Sequence, residues 1–223
     1  MISQKGIKDR TRDEMERLVA LAAVQPTWRL LDVSAGDRRI AERFKSLVAE
    51  VVTVDLKSTP NVTRALPYPD ASFEVITCWM ATHQLEDCFR LVSECARLLR
   101  PGGCLLVQDV TVPDEPRAAR FINAFERLHN PRHQRGYARY EWEGMLLDSG
   151  LAVDHVELLT VPALNLLAWA EAAGASDHAI ERLHILLRQA PPAVREWLRP
   201  HASGTPDAHF DHHEIIVKGR KPG

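Results

Sequence analysis

Asp32, Gly36 and Asp55 have types and spacing that suit chemistry. Gly36 lies in the tight turn Ser34-Ala35-Gly36-Asp37, directly after the apolar run Leu30-Leu31-Asp32-Val33. A glycine there lets backbone approach a ligand, and the helix that follows offers the ligand its N-terminal N–H groups. Asp55 closes a β-branched run, Glu50-Val51-Val52-Thr53-Val54-Asp55, nineteen positions after Gly36. A carboxylate at that spacing can accept two hydrogen bonds from a ribose diol. The combination reads as a nucleotide-cofactor loop.

The elements that must position these residues follow from the hydrophobic periodicity. Met15 to Val24 reads as an amphipathic helix ended by Pro26, and Ile40 to Val48 as a second helix after the glycine turn. Strand, turn, helix and strand thus form a βαβ unit with a right-handed crossover. Phe73 to Trp79 reads as a strand and Glu86 to Leu99 as a helix, with Phe89, Leu91, Val92, Cys95 and Leu98 inward and Asp87 at its start. Pro101-Gly102-Gly103 makes a turn before a strand over Cys104 to Val110. Helices follow over 116–129 and 141–149, then a strand over 153–161. Three helical stretches (164–173, 177–189 and 193–198) precede a last strand over 212–218. Three successive helices exceed a crossover and read as a cap over one rim. The expected organisation is one domain over 1–223. Its core spans about 13–110, 151–161 and 209–220, and its cap helices lie within 116–149 and 162–199. Ligands of such sheets bind beyond the strands' carboxyl ends. Those ends hold Asp32 to Arg38, Asp55, Cys78 to Gln84 and Asp109.

The composition is globular, 45% hydrophobic and 26% charged, with a formal net charge of -2. That balance gives no reason to expect nucleic acid or an anionic membrane as a partner. The N-terminus has no apolar signal region and no run is long enough to span a bilayer, so the expected location is cytoplasmic. Cys78, Cys88, Cys95 and Cys104 form no C-x-x-C pattern and read as buried reduced thiols.

The chain resembles class I S-adenosylmethionine-dependent methyltransferases, in the branch of the ubiquinone/menaquinone C-methyltransferases. The resemblance rests on Leu30 to Gly36, on Val54-Asp55-Leu56, on Leu66-Pro67-Tyr68-Pro69-Asp70-Ala71-Ser72-Phe73-Glu74 and on Leu98-Leu99-Arg100-Pro101-Gly102-Gly103. It implies a Rossmann-like, doubly wound α/β fold, with a mostly parallel seven-stranded sheet whose last strand is antiparallel. It also implies bound S-adenosylmethionine and methyl transfer to a small-molecule acceptor. Carried over residue by residue, the cofactor-binding positions are Asp32, Ser34, Gly36, Asp55, Leu56, Cys78 and Trp79. Three departures stand out. Ser34 and Arg38 occupy two places where the family has glycine. The stretch Lys57 to Ser72 is too short for a full helix plus strand, so the third strand is expected to be short or missing, and Val62 replaces the acid that reads the adenine amino group. No aromatic residue lies in Met1 to Arg12.

Methyl transfer mainly needs alignment, and a general base helps where the acceptor must lose a proton. Candidates are His83, His129, His133, Tyr137 and Tyr140, of which His83, His133 and Tyr137 are the expected catalytic set. Asp207 to Glu214 places His209, Asp211 and His213 on one strand face, but no distant ligand completes a site, so no metal is expected. Trp169, Leu183, Leu186, Leu187 and Trp197 read as cap core ahead of a substrate roof. The competing reading is a methyltransferase fold that has lost methyl transfer, acting as another catalyst or as a partner of an active enzyme. A dinucleotide oxidoreductase is disfavoured because G-x-G-x-x-G is incomplete. A homodimer or a paralogue is the expected kind of protein partner.

Overall fold

The computed structural model describes residues 4–34, 36–56 and 65–223. The chain begins with α1 (Gln4–Ala22), β1 (Arg29–Ser34), α2 (Arg39–Phe44) and β2 (Glu50–Asp55). β3 (Phe73–Trp79), α3 (Cys88–Leu98) and β4 (Leu99–Val110) follow, then α4 (Pro116–His129), α5 (Arg139–Asp148) and β5 (Ala152–Asn165). α6 (Leu166–Ala172), α7 (Asp177–Gln189), α8 (Pro192–Leu198) and β6 (His209–Arg220) complete it. The strands form one six-stranded sheet in the order β2-β1-β3-β4-β6-β5. β1 to β4 pair in parallel, and β6 runs antiparallel to both β4 and β5. This is the doubly wound α/β fold that the sequence implies. Among the described residues β2 is an edge strand, and no seventh strand lies beside it. Positions 57–64, including Val62, lie outside the described residues.

Alternation along the strands divides the core. Leu31 and Val33 of β1 face a layer closed by α3 and α5, which holds Leu91, Cys95, Trp142 and Leu146. Leu30 faces the opposite layer, where α1 and α2 bring Leu18 and Phe44. A third apolar cluster joins α4, α6, α7 and α8 around Phe125, Leu183, Leu187 and Phe210. Trp169, Leu186 and Trp197 pack against it, which agrees with the cap-core reading.

Four local expectations need correction. α2 stops at Phe44 and a turn continues to Val48, with the Leu47 N–H bonded to the Phe44 carbonyl. α3 passes straight into β4: Leu99 is already extended and pairs with Phe73, so Pro101-Gly102-Gly103 lies inside the strand. Gly102 has a φ of +80°, and a Cβ on Gly103 would stand 2.7 Å from the Glu74 carbonyl oxygen. Phe89 is exposed, not inward. At 100° per residue it lies about 130° around α3 from the centre of the face formed by Leu91, Val92, Cys95 and Leu98. The fourth correction concerns the strand over 153–161, which extends through Asn165 and shortens the helix after it.

Candidate functional site

The register of β1 against β2 sets Ser34 beside Asp55, so the glycine turn and the acid meet at one rim of the sheet. Gly36 has a φ of +93°, a conformation that side-chain-bearing residues resist. The Leu56 N–H donates to the Ser34 carbonyl at 2.8 Å and ties the two strand ends together. A groove of about 300 Å³ opens there, lined by Ser34, Arg38, Thr53, Val54, Asp55, Leu66, Pro67 and Tyr68. Arg38 therefore forms part of the groove wall.

Asp32 points from the same strand face as Ser34. It is buried, and only Oδ1 is satisfied, by the Thr77 hydroxyl at 2.8 Å. Among the described residues its Oδ2 is buried without a hydrogen-bond partner. Burial raises the Asp32 pKa to about 7, against the opposing effect of the Thr77 bond. A buried carboxylate oxygen left open needs a partner, and a cationic ligand group would supply one. Trp79 ends β3 with its ring beneath the Arg39 guanidinium, 4.7 Å from the centroid. Its indole Nε1 is also buried without a partner among the described residues. Cys78 is buried in the α3 layer, where burial drives its thiol pKa well above the usual value. One N–H at the start of α2 is already engaged. The Asp37 carboxylate accepts the Arg39 N–H at 3.0 Å.

A second polar centre lies where β3 and β4 end. Asp109 is completely buried and accepts from six groups. These are the N–H of Ala81, Thr82, His83 and Val110, the Thr82 hydroxyl and the His83 ring. It thereby fixes the turn after β3, which carries His83 as a short 3-10 segment over Thr82–Gln84. The His83 Nδ1 stands 2.6 Å from Asp109 Oδ1. This contact orients the ring with Nδ1–H donating and Nε2 as acceptor, where the Gln84 amide reaches it at 3.4 Å. Burial pushes the His83 pKa down, but the Asp109 charge and hydrogen bond outweigh it, and the net direction is up from 6.5. The Asp109 pKa is lowered: burial acts upward, and the His83 charge and the bonds from His83 and Thr82 outweigh it.

The remaining sequence candidates fall into different surroundings. His133 stacks on His83 with centroids 5.5 Å apart, and its Nε2–H donates to Asn123 Oδ1 at 2.7 Å. Burial lowers its pKa to about 4, so its ring is neutral near pH 7. The Tyr137 ring packs on Trp142 in the α3 layer. His129 stacks flat on Trp169 at 3.6 Å, while Tyr140 is exposed. Two further groups, Glu126 and His212, had no assigned role in the sequence. Buried Glu126 of α4 stands 3.1 Å from the His212 Nε2, and Gln108 Nε2 donates to Glu214 at 2.7 Å. The signal for Glu126 was present: it shares the apolar stripe of Ala118, Ile122 and Phe125, where a carboxylate is out of place. Of the proposed metal-like face, Asp211 pairs with Arg199 and His213 Nε2–H donates to the Trp197 carbonyl.

The sheet order, the glycine turn and the acid on the neighbouring strand define a Rossmann-like α/β protein, with the candidate site at the carboxyl rim. The family model described as a methyltransferase domain matches residues 6–156, and the chain belongs to that family. It is 27% identical over 204 residues to the uncharacterized methyltransferase YcgJ of Bacillus subtilis, covering 82% of this chain and 80% of that one. The solved YcgJ structure superposes with a TM-score of 0.84 at 24% identity, covering 95% and 99% of the two chains. The ubiquinone/menaquinone branch is a more distant likeness. The UbiE C-methyltransferase of Ectopseudomonas mendocina is 29% identical over 135 residues, covering 48% of this chain and 51% of that one. A Streptomyces coelicolor geranyl diphosphate C-methyltransferase, solved with S-adenosyl-L-homocysteine, shares the fold at a TM-score of 0.61 and 13% identity. That match covers 95% of this chain and 79% of the other.

Proposed function

We propose that the protein transfers a methyl group from S-adenosylmethionine to a small-molecule acceptor, with His83 as the general base. The carrying observation is the buried, unpartnered Asp32 Oδ2 close to the glycine turn and the groove ending at Asp55. These residues fit the cofactor's chemistry: Asp32 suits an ammonium group, Asp55 a ribose diol, and Leu66, Pro67 and Tyr68 a flat base. Ser34, Gly36 and Leu56 would hold backbone close to it, and Cys78 and Trp79 would close the site from β3. When bound, S-adenosylmethionine supplies an electrophilic methyl group.

The chain's own contribution is alignment and a proton sink. Asp109 holds the His83 ring in one orientation, leaving Nε2 to accept the proton that the acceptor releases. His133, neutral and anchored by Asn123, stacks on that ring and keeps it in place. In this reading His133 is a positioning residue, and Tyr137 belongs to the scaffold. Small-molecule chemistry of the ubiquinone/menaquinone type is the finer form of the proposal.

Thermal melting with S-adenosylhomocysteine tests the cofactor part. At ligand about a hundredfold above Kd, the midpoint should rise by roughly 5–10 °C. An unchanged midpoint at millimolar ligand would contradict the proposal.

A further inference from the structure

A groove of about 430 Å³ lies between α4, the loop 134–136 and the start of α5, and it shares no residue with the cofactor groove. Three arginines line it, Arg120, Arg127 and Arg135, against one acid, Glu141. Like charges gathered in a chain of net charge -2 are costly to hold and concentrate a positive field. Two of the guanidinium groups are held in place. Arg127 donates to the His133 and Gln134 carbonyls. Arg135 pairs with Glu141 and lies 4.9 Å from the centroid of the Tyr137 ring. Arg120, two turns earlier on α4 than Arg127, makes no hydrogen bond or salt bridge among the described residues and has Glu115 as its charged neighbour. The lining also has apolar members, Val112, Ala119 and the Tyr140 ring, which is 55% exposed.

From this juxtaposition of an arginine cluster and apolar side chains in one groove, we propose a second ligand site, for a phosphorylated small organic molecule. Guanidinium forks match the spacing of phosphate oxygens, and an ester's body would lie along Tyr140 and Val112. The site is coupled by backbone to the methyl-transfer end. The N–H groups of Gln134 and Arg135 both donate to the His83 carbonyl. Asn123 accepts from His133 and from the Gly136 N–H, so one side chain spans the groove and the histidine pair. Occupancy of the groove would therefore stiffen the loop that carries His133.

Calorimetric titration of the full chain with phenyl phosphate and with inorganic phosphate, at low ionic strength, tests the site. Phenyl phosphate should bind at least about tenfold more tightly than inorganic phosphate, and Arg120→Gln should weaken it about tenfold. The same variant should keep its melting temperature and its response to S-adenosylhomocysteine, which separates this site from the cofactor groove. Absence of binding at millimolar phenyl phosphate would overturn the proposal. So would equal affinity for the two phosphates, which would mark a simple anion contact, or undiminished binding by Arg120→Gln.

Discussion

At the residue scale, two buried acids are used in opposite ways. Asp109 is a fully bonded carboxylate held ionised by His83 and the turn it anchors. Asp32 is half-bonded, and its pKa of about 7 marks a carboxylate whose charge the ligand-free fold resists. A carboxyl group with a raised folded pKa gives its stability below the ordinary value of 3.8 and loses it as pH rises toward about 7. Asp32→Asn should therefore stabilise the ligand-free protein at pH 8, by roughly 2–4 kcal/mol, measured by urea denaturation. The gain should disappear near pH 4. His83 has the usual histidine sign. Its raised pKa adds stability below 6.5, and that share is lost as pH rises through the folded value. His83→Gln should cost about 1–2 kcal/mol at pH 6, with a smaller difference from the parent protein at pH 9. A constant difference across that range would argue against the Asp109 pairing as the source.

At the element scale, the strands and long helices were legible because their apolar spacing is regular. α4 and α7 lie where their periodicity places them, and β2 and β3 match their β-branched runs. The misplaced boundaries have identifiable physical causes. Pro101-Gly102-Gly103 looks like a turn by composition, yet Leu99 and Cys104 on either side pair with β3, and Gly102 and Gly103 exchange backbone bonds with Lys221 just after β6, which keeps it within β4. Gly103 is required there by the Glu74 carbonyl and not by chain reversal. Gly103→Ala should thus cost about 1–3 kcal/mol through forced backbone displacement, read as a lower urea midpoint with an unchanged slope. The candidate site was legible in part. Asp32, Gly36 and Asp55 could be placed from spacing, since β1 and β2 are neighbours in the sheet. The Asp109 bonds and the Glu126–His212 pair join residues far apart in sequence, and no local pattern encodes such contacts.

At the scale of the whole molecule, the sheet separates two polar centres. The β1–β2–β3 rim presents the groove and the open Asp32 oxygen, while the β3–β4 rim and α4 hold the buried histidines. The short connection between β2 and β3 leaves β2 at the edge of the described sheet, and Tyr68 and Leu66 supply part of the wall on that side. In the reading proposed above, this groove binds the methyl donor. Isothermal titration with S-adenosylhomocysteine tests it most directly, on the parent protein and on Asp32→Asn and Asp55→Ala. The account predicts one site per chain, weakened by about tenfold or more in each variant as a charge-assisted hydrogen bond is lost. For the parent protein, affinity should rise with pH through about 7 as Asp32 ionises, and Asp32→Asn should lose that rise. No heat from the parent protein at millimolar ligand, or equal binding by all three proteins, would contradict it.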